Sequence, residues 1–310
     1  MAKKSKTPAP ITPDQTVSEA FQTILQHNFN YLVEWEEEAR SWENIEGVHQ
    51  TRVSFRRMRS AVSSFRSAVP RGASKEWNGE LRYLASQLGM ARDLDVFIDE
   101  GLGAIEGKLT LRGRTRLTEL ARHHREIAYE SVNAMLDSDR YATFKKDFPA
   151  WLDEKAWERG EMKEKHRKNL SMNVVPFARK LLDSLERRVL EAGSHVNRES
   201  AKEMHSLRIE CKKLRYAAEF FTPILKGLDD FVGHMKRLQN LLGIMNDVSV
   251  MQHLLEPMLE NETDHEVVEY AGGLVGWRTC EFYNLVDTFD DRWEEFTNAK
   301  HPWWSKQATA

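Results

Sequence analysis

The 310-residue chain carries 45 Lys and Arg against 48 Asp and Glu, a formal net charge of −3, with 41% hydrophobic and 30% charged residues. This suits a water-soluble protein of roughly two domains at about 100–200 residues each, and it excludes wholesale coating of a polyanion, so any anion site must be a local concentration of charge. No apolar run reaches the roughly 20 residues that cross a bilayer, which excludes membrane-spanning classes and sets the expectation of a cytoplasmic protein.

In chain order, residues 1–15 (MAKKSKTPAPITPDQ) are basic and Pro-containing with no apolar segment behind them; they read as a disordered tail and not a signal peptide. From residue 16 onward apolar residues recur at three and four while β-branched alternation is almost absent, which predicts an all-α protein. Asp14 or Ser18 starts the first helix. EWEEEARSWE (34–43) is a solvated acidic face. VHQTRVSFRRMRS, from Val48, sets four arginines behind His49 with no acid anywhere between Gly47 and Lys75. Breaks follow at 69–74 (VPRGAS), 100–103 (EGLG) and 137–140 (DSDR). The charged run 153–169 is the expected boundary between two halves, 16–160 and 161–305. In the second half breaks are expected at 191–194 (EAGS), 222–227 (TPILKG) and 256–262 (EPMLENE). Cys211 and Cys280 stand in no CxxC or zinc spacing, which fits reduced thiols. The aromatic HPWWSK (301–306) either packs on the second half or forms a partner patch.

The halves repeat. MHSLRIECKKLRY, from Met204, matches the first motif at an offset of 156 residues: His49 falls on His205, Arg52 on Arg208, Arg56 on Lys212, Arg57 on Lys213 and Arg59 on Arg215. Apolar positions follow, with Val53 on Ile209, Met58 on Leu214, Ala61 on Ala217 and Phe65 on Phe221. Downstream, LRYLASQLGMARDLDV (81–96) meets MKRLQNLLGIMNDVSV (235–250) at an offset of 154. That pairs Arg82 with Lys236 and Asp93 with Asp247, but Arg92 with Asn246 and Asp95 with Ser249.

At 100° per residue, His49, Arg52, Arg56 and Arg59 share an arc of about 80°, and their counterparts do the same. Val48, Phe55, Met58, Ala61, Val62 and Phe65 occupy the adjoining arc and must face the core. Arg57 and Lys213 point away from both stripes, as plain solvent charges would. No acid on its own helix can neutralise the first stripe at i,i+4. Bringing two such stripes together sets unit charges against each other, at roughly 4 kcal/mol for a 4 Å separation and an effective dielectric near 20. The arrangement asks for an anion, and arginine forks with mobile lysines suit one rich in phosphate. The LGxARD and LGxMND segments read as helix interruptions in which Asp93 or Asp247 caps the next helix, or in which the aspartate also orients His or Arg.

The doubled H-x-x-R-x-x-x-[RK]-[RK]-[LM]-R helix, each followed some forty residues later by LGxxx-[ND], resembles the CHAD family, the conserved histidine α-helical domain. The likeness runs from about Val17 to Trp304. It implies two antiparallel four-helix bundles related by a pseudo-twofold axis, with a basic channel between or along them. It also implies binding of inorganic polyphosphate, often without catalysis, and in some members association with polyphosphate granules. By position the implied ligand residues are His49, Arg52, Arg56, Arg59 and Arg82 with His205, Arg208, Lys212, Arg215 and Lys236; Arg57 and Lys213 are secondary candidates. No cofactor and no metal are expected, and no catalytic residue is assigned: there is no Walker loop, no Gly-rich phosphate turn, no metal-binding carboxylate set and no β-rich triphosphatase partner domain in the chain. Two other readings stay open. Nucleic-acid phosphates would fit the charges, although Tyr216 alone offers a stacking surface near the stripe. A phosphoesterase or phospho-acceptor using His49 or His205 would need a carboxylate partner set such as Asp93, Asp95 and Asp247.

Overall fold

Thr16 opens the first helix with a capping box: its side chain accepts from the Glu19 amide, and the Glu19 carboxylate accepts from the Thr16 amide at 2.8 Å. The cap thus lies between the two residues expected to supply it. The computed structural model describes residues 7–103, 105–198 and 200–304, the side chains of 201 and 244–247 excepted. Twelve α-helices follow one another among these residues. They are α1 (Val17–Glu34), α2 (Glu46–Ser64), α3 (Arg71–Gln87), α4 (Gly89–Val96), α5 (Arg114–Leu136), α6 (Asp139–Asp153), α7 (Glu164–Ser171), α8 (Val174–Ser194), α9 (Ala201–Phe221), α10 (Leu228–Leu259), α11 (His265–Val286) and α12 (Phe289–Thr297). No strand forms among the described residues, and no helix there is long and apolar enough to cross a membrane.

The breaks mostly fall where turn chemistry places them. Pro70 precedes α3, Ser138 caps α6, and Gly227 supplies the left-handed residue (φ 85°) that starts α10. Two expectations need adjusting. α8 carries through EAGS and ends on its last residue, Ser194, so the break opens at His195. The LGxARD segment does interrupt the chain, between α3 and α4, but Asp93 lies inside α4 and does not cap it, while α10 passes straight through the LGxMND segment at Gly243 for 32 residues. A glycine with no strained φ costs a helix only about 1 kcal/mol, which the packing of α10 on α9 and α11 offsets. The side chains of Asn246 and Asp247 lie outside the described residues.

Val48, Phe55, Met58, Ala61, Val62 and Phe65 are all buried, as their arc requires. Phe65 sits at the junction of the two halves, its ring centroid 5.2 Å from Phe21, 5.1 Å from Phe177 and 6.1 Å from Phe221. The halves also meet backbone to backbone. Thr16 and Asn173, the caps of α1 and α8, form an isolated antiparallel bridge in which the Val17 amide donates to the Met172 carbonyl (2.9 Å) and the Val174 amide to the Gln15 carbonyl (3.0 Å). Gly47, in the first turn of α2, lets that helix press on the chain at Glu38, where a Cβ would stand 2.0 Å from the Glu38 carbonyl oxygen. Cys211 is buried and Cys280 exposed, both free thiols. HPWW packs inward as far as Trp303, whose ring lies 4.7 Å from that of Phe231 on α10.

Candidate functional site

α2 and α9 lie against each other, and their contact carries the two basic stripes, 156 residues apart in sequence, to one place. Arg52 and Arg56 from α2 and Arg208 and Lys212 from α9 line a cleft of about 460 Å3. Arg92, Asp93 and Glu100 enter from α4 and the π-helical turn behind it, Arg278 from α11, and the floor is apolar, with Phe97, Met251 and Leu254. Among the described residues six cations therefore face two carboxylates.

Those two carboxylates sit to one side. Arg52 Nη1 donates to Asp93 Oδ1 at 3.3 Å; burial raises the Asp93 pKa, and the Arg52 charge works against that rise. Glu100 is 69% exposed, 3.9 Å from Arg92. Arg278 donates to the Glu100 carbonyl at 2.8 Å and pairs with Glu281 at 2.7 Å. At the centre the cations are less well served. Among the described residues neither Arg56 nor Lys212 has a carboxylate within ion-pair distance. Arg56 lies over the ring of the buried Tyr216, 5.4 Å from its centroid, and burial, with Arg215 and Arg52 nearby, lowers its pKa. Lys212 is pushed down to about 7, first by burial and then by Arg208, Arg56, Arg215 and Arg52. Desolvated like charges without counter-ions disfavour the empty fold, and an anion of several charges relieves the cost.

A second cluster already holds a carboxylate. Glu219 on α9 takes Arg57 at 2.8 Å and Arg215 at 2.6 Å, and Arg215 Nε donates to Gln239 at 2.7 Å. Burial works against the charged form of Glu219, but Arg215 and Arg57 hold its pKa below the ordinary carboxylate value, with Lys236 on α10 adding to them. Arg57, at 14% exposure, is thus an internal ion pair and not the solvent charge its helical angle suggested. Lys213 pairs with Glu210 and lines a different cleft. Arg59 lies beside the exposed Arg82, its pKa lowered by burial and by that neighbour's charge. His49 is half-buried one turn before Arg52, His205 is exposed one turn before Arg208, and neither lines the arginine cleft. Asp95 is buried and accepts from the Tyr129 hydroxyl at 2.8 Å, burial lifting its pKa to about 6. No group of three or more His, Cys, Asp or Glu among the described residues is placed to hold a metal ion. Elsewhere on the surface several charges pair off, as in Arg140 with Glu80 (2.7 Å), Arg187 with Asp183 (2.7 Å) and Arg292 with Glu295 (3.1 Å).

Sequence reasoning missed three residues that shape the site. Glu219 stands four residues after Arg215, within the arc of the stripe, and that spacing is a readable signal for an ion pair. Arg92 was visible only as a departure from the repeat. Arg278 has no local signal, since α11 reaches the cleft through the fold alone.

The CHAD domain family matches residues 23–256 of the chain. Two uncharacterised proteins of Mycobacterium tuberculosis, MT2285 of strain CDC 1551 / Oshkosh and Rv2226 of strain ATCC 25618 / H37Rv, are each 29% identical over 259 residues, which is 81% of this chain and 48% of theirs. The chain thus spans about half the length of the curated relatives it matches. The crystal structure of the CHAD domain from the plant Ricinus communis superposes with a TM-score of 0.80 at 22% identity, covering 97% of this chain and 99% of that one. PptA from Streptomyces chartreusis gives 0.68 at 14% identity, over 90% and 100%. At these identities the two structures establish the fold alone.

Proposed function

The chain belongs to the CHAD family, and from that premise we propose that it binds inorganic polyphosphate in the cleft between α2 and α9, without catalysis. One observation carries the reading: Arg56 and Lys212, equivalent positions of the two motifs, share one cleft, both desolvated and neither with a carboxylate within ion-pair distance among the described residues. A chain of phosphates supplies closely spaced negative charge that arginine forks hold by paired hydrogen bonds. Nucleic acid is the weaker fit, because Tyr216, the aromatic ring nearest the stripe, is buried and already covered by Arg56 and by Arg215, at 5.4 and 4.6 Å.

With this goes the finer architecture: two antiparallel four-helix bundles, 16–160 and 161–305, produced by duplication and related by a pseudo-twofold axis. Its support is reciprocity. The bridge from α1 to α8 exchanges the same bond in both directions, from the first residue of each helix to the residue before the other's cap, Phe65 meets its own counterpart Phe221, and Arg52 and Arg56 share a cleft with Arg208 and Lys212.

The test is binding of long-chain polyphosphate and of an equal-charge single-stranded RNA across a salt series, with orthophosphate followed in the same tubes. Tight polyphosphate binding that weakens steeply with salt, weak RNA binding and no phosphate release are expected. Equal RNA affinity, or orthophosphate accumulating with time, would overturn the reading.

Proton linkage gives a second expectation. Free Lys212 titrates near pH 7, so its charge is present below that pH and lost above it; a bound polyanion raises its pKa, and binding above pH 7 draws in a proton. Affinity should be highest at and below neutrality and fall by up to about tenfold per pH unit above it. Lys212→Arg should flatten the profile. Calorimetry at pH 8 in two buffers of different ionisation enthalpy measures the proton uptake; heats that do not depend on the buffer would remove Lys212 from the site.

A further inference from the structure

A second cleft, of about 450 Å3, opens at the C-terminal end of α2, where Ser60, Ser63 and Ser64 stand with Lys213 of α9, Lys180 and Arg188 of α8, Lys165 of α7 and Arg66. Among the described residues no Asp or Glu lines it. Ser63 continues the α2 stripe within the same arc, and Ser60 lies just beside it. Among the described residues Arg66, Lys165, Lys180 and Arg188 form no ion pair, while Lys213 keeps Glu210 on its own helix and stays 40% exposed.

This cleft is the broken counterpart of the Glu219 cluster. At the offset of 156 residues, Arg57 corresponds to Lys213 and Glu219 to Ser63. On one side of the α2–α9 contact, Arg57 therefore reaches a carboxylate, which it shares with Arg215. On the other, Lys213 and Ser63 line the cleft together, with a hydroxyl where the carboxylate would stand. A hydroxyl donates a hydrogen bond to an anion, whereas a carboxylate repels one. Four more cations collect around that position, and α7, which carries Lys165, precedes α8 without a matching helix before α1 among the described residues.

We propose that this serine-lined cleft is a second condensed-phosphate site, separate from the arginine cleft, and that Glu219 closes the equivalent place on the other side. The inference rests on the polyphosphate reading above. The probe is inorganic tripolyphosphate, titrated calorimetrically into the full chain and three variants. The wild-type chain should bind at two sites. Lys180→Glu with Arg188→Glu, both exposed positions, should leave one and weaken the lost site by at least about tenfold. Ser63→Glu should also leave one, because it recreates the Glu219 arrangement beside Lys213. Arg52→Glu with Arg208→Glu should remove only the other site. A single site that responds to the Arg52/Arg208 pair alone overturns the second cleft and spares the main reading. A single site that responds to Lys180/Arg188 and Ser63 alone upholds the cleft and overturns the main reading. No binding at all overturns both.

Discussion

Arg52→Glu combined with Arg208→Glu is expected to abolish retention of long-chain polyphosphate at physiological salt while leaving the helical circular-dichroism signal in place. Each substitution removes a charge-assisted hydrogen-bond donor, worth about 1.5–3 kcal/mol, and sets a repelling carboxylate in its stead. Two losses amount to about 3–6 kcal/mol, between a hundredfold and ten-thousandfold in affinity at 1.4 kcal/mol per tenfold. The fold should tolerate the change. Arg52 is 37% exposed, and its ion pair with Asp93 is of the partly solvated kind that contributes little to stability. Filter retention, with the salt slope measured alongside, reads the result: slope and affinity should fall together, because phosphate contacts set both. Wild-type retention by the double variant would show that the cleft is not where polyphosphate binds.

Glu219→Ala is expected to have the largest effect on stability. The carboxylate is 12% exposed and holds two guanidiniums that are themselves 14% and 17% exposed. Removing one member of a buried ionic cluster strands the others, at about 3–5 kcal/mol. Urea denaturation should show that loss, with Glu219→Gln intermediate because its amide oxygen still accepts one bond. Polyphosphate should restore more stability to Glu219→Ala than to the wild-type chain, since a phosphate can take the place of the missing carboxylate, and ligand that binds only the folded state stabilises it. A midpoint unchanged from wild type would mean that Arg57 and Arg215 find other partners or reach water.

Much of this was legible in the sequence, for physical reasons that also mark where legibility ends. The helical class and the buried row Val48, Phe55, Met58, Ala61, Val62 and Phe65 follow from a 3.6-residue period, which is a property of one helix taken alone. The stripe Arg52, Arg56, Arg208 and Lys212 followed from the same period and from the repeat. What a side chain meets on another helix does not follow. Arg57 at its helical angle looks solvated, and only the approach of α9, 162 residues later, supplies Glu219. Arg278 reaches the cleft because α11 is carried there by the fold. The LGxARD and LGxMND segments diverge for another reason: glycine is permissive and not a command to break, so α10 runs through one while the chain between α3 and α4 interrupts at the other.

A net charge of −3 over the whole chain, set against a cleft in which Arg56 and Lys212 meet no carboxylate within ion-pair distance among the described residues, has a kinetic consequence. A net-negative molecule repels a polyanion at long range, while a positive opening attracts it once the chain comes within about a Debye length, roughly 8 Å at physiological ionic strength. Encounters on the outer faces are therefore short-lived, and productive ones start at the mouth of the cleft. Added salt weakens the repulsion and the attraction together, so the association rate constant should change less steeply with ionic strength than it would for a uniformly basic protein, and the rise in the dissociation rate should carry most of the salt dependence.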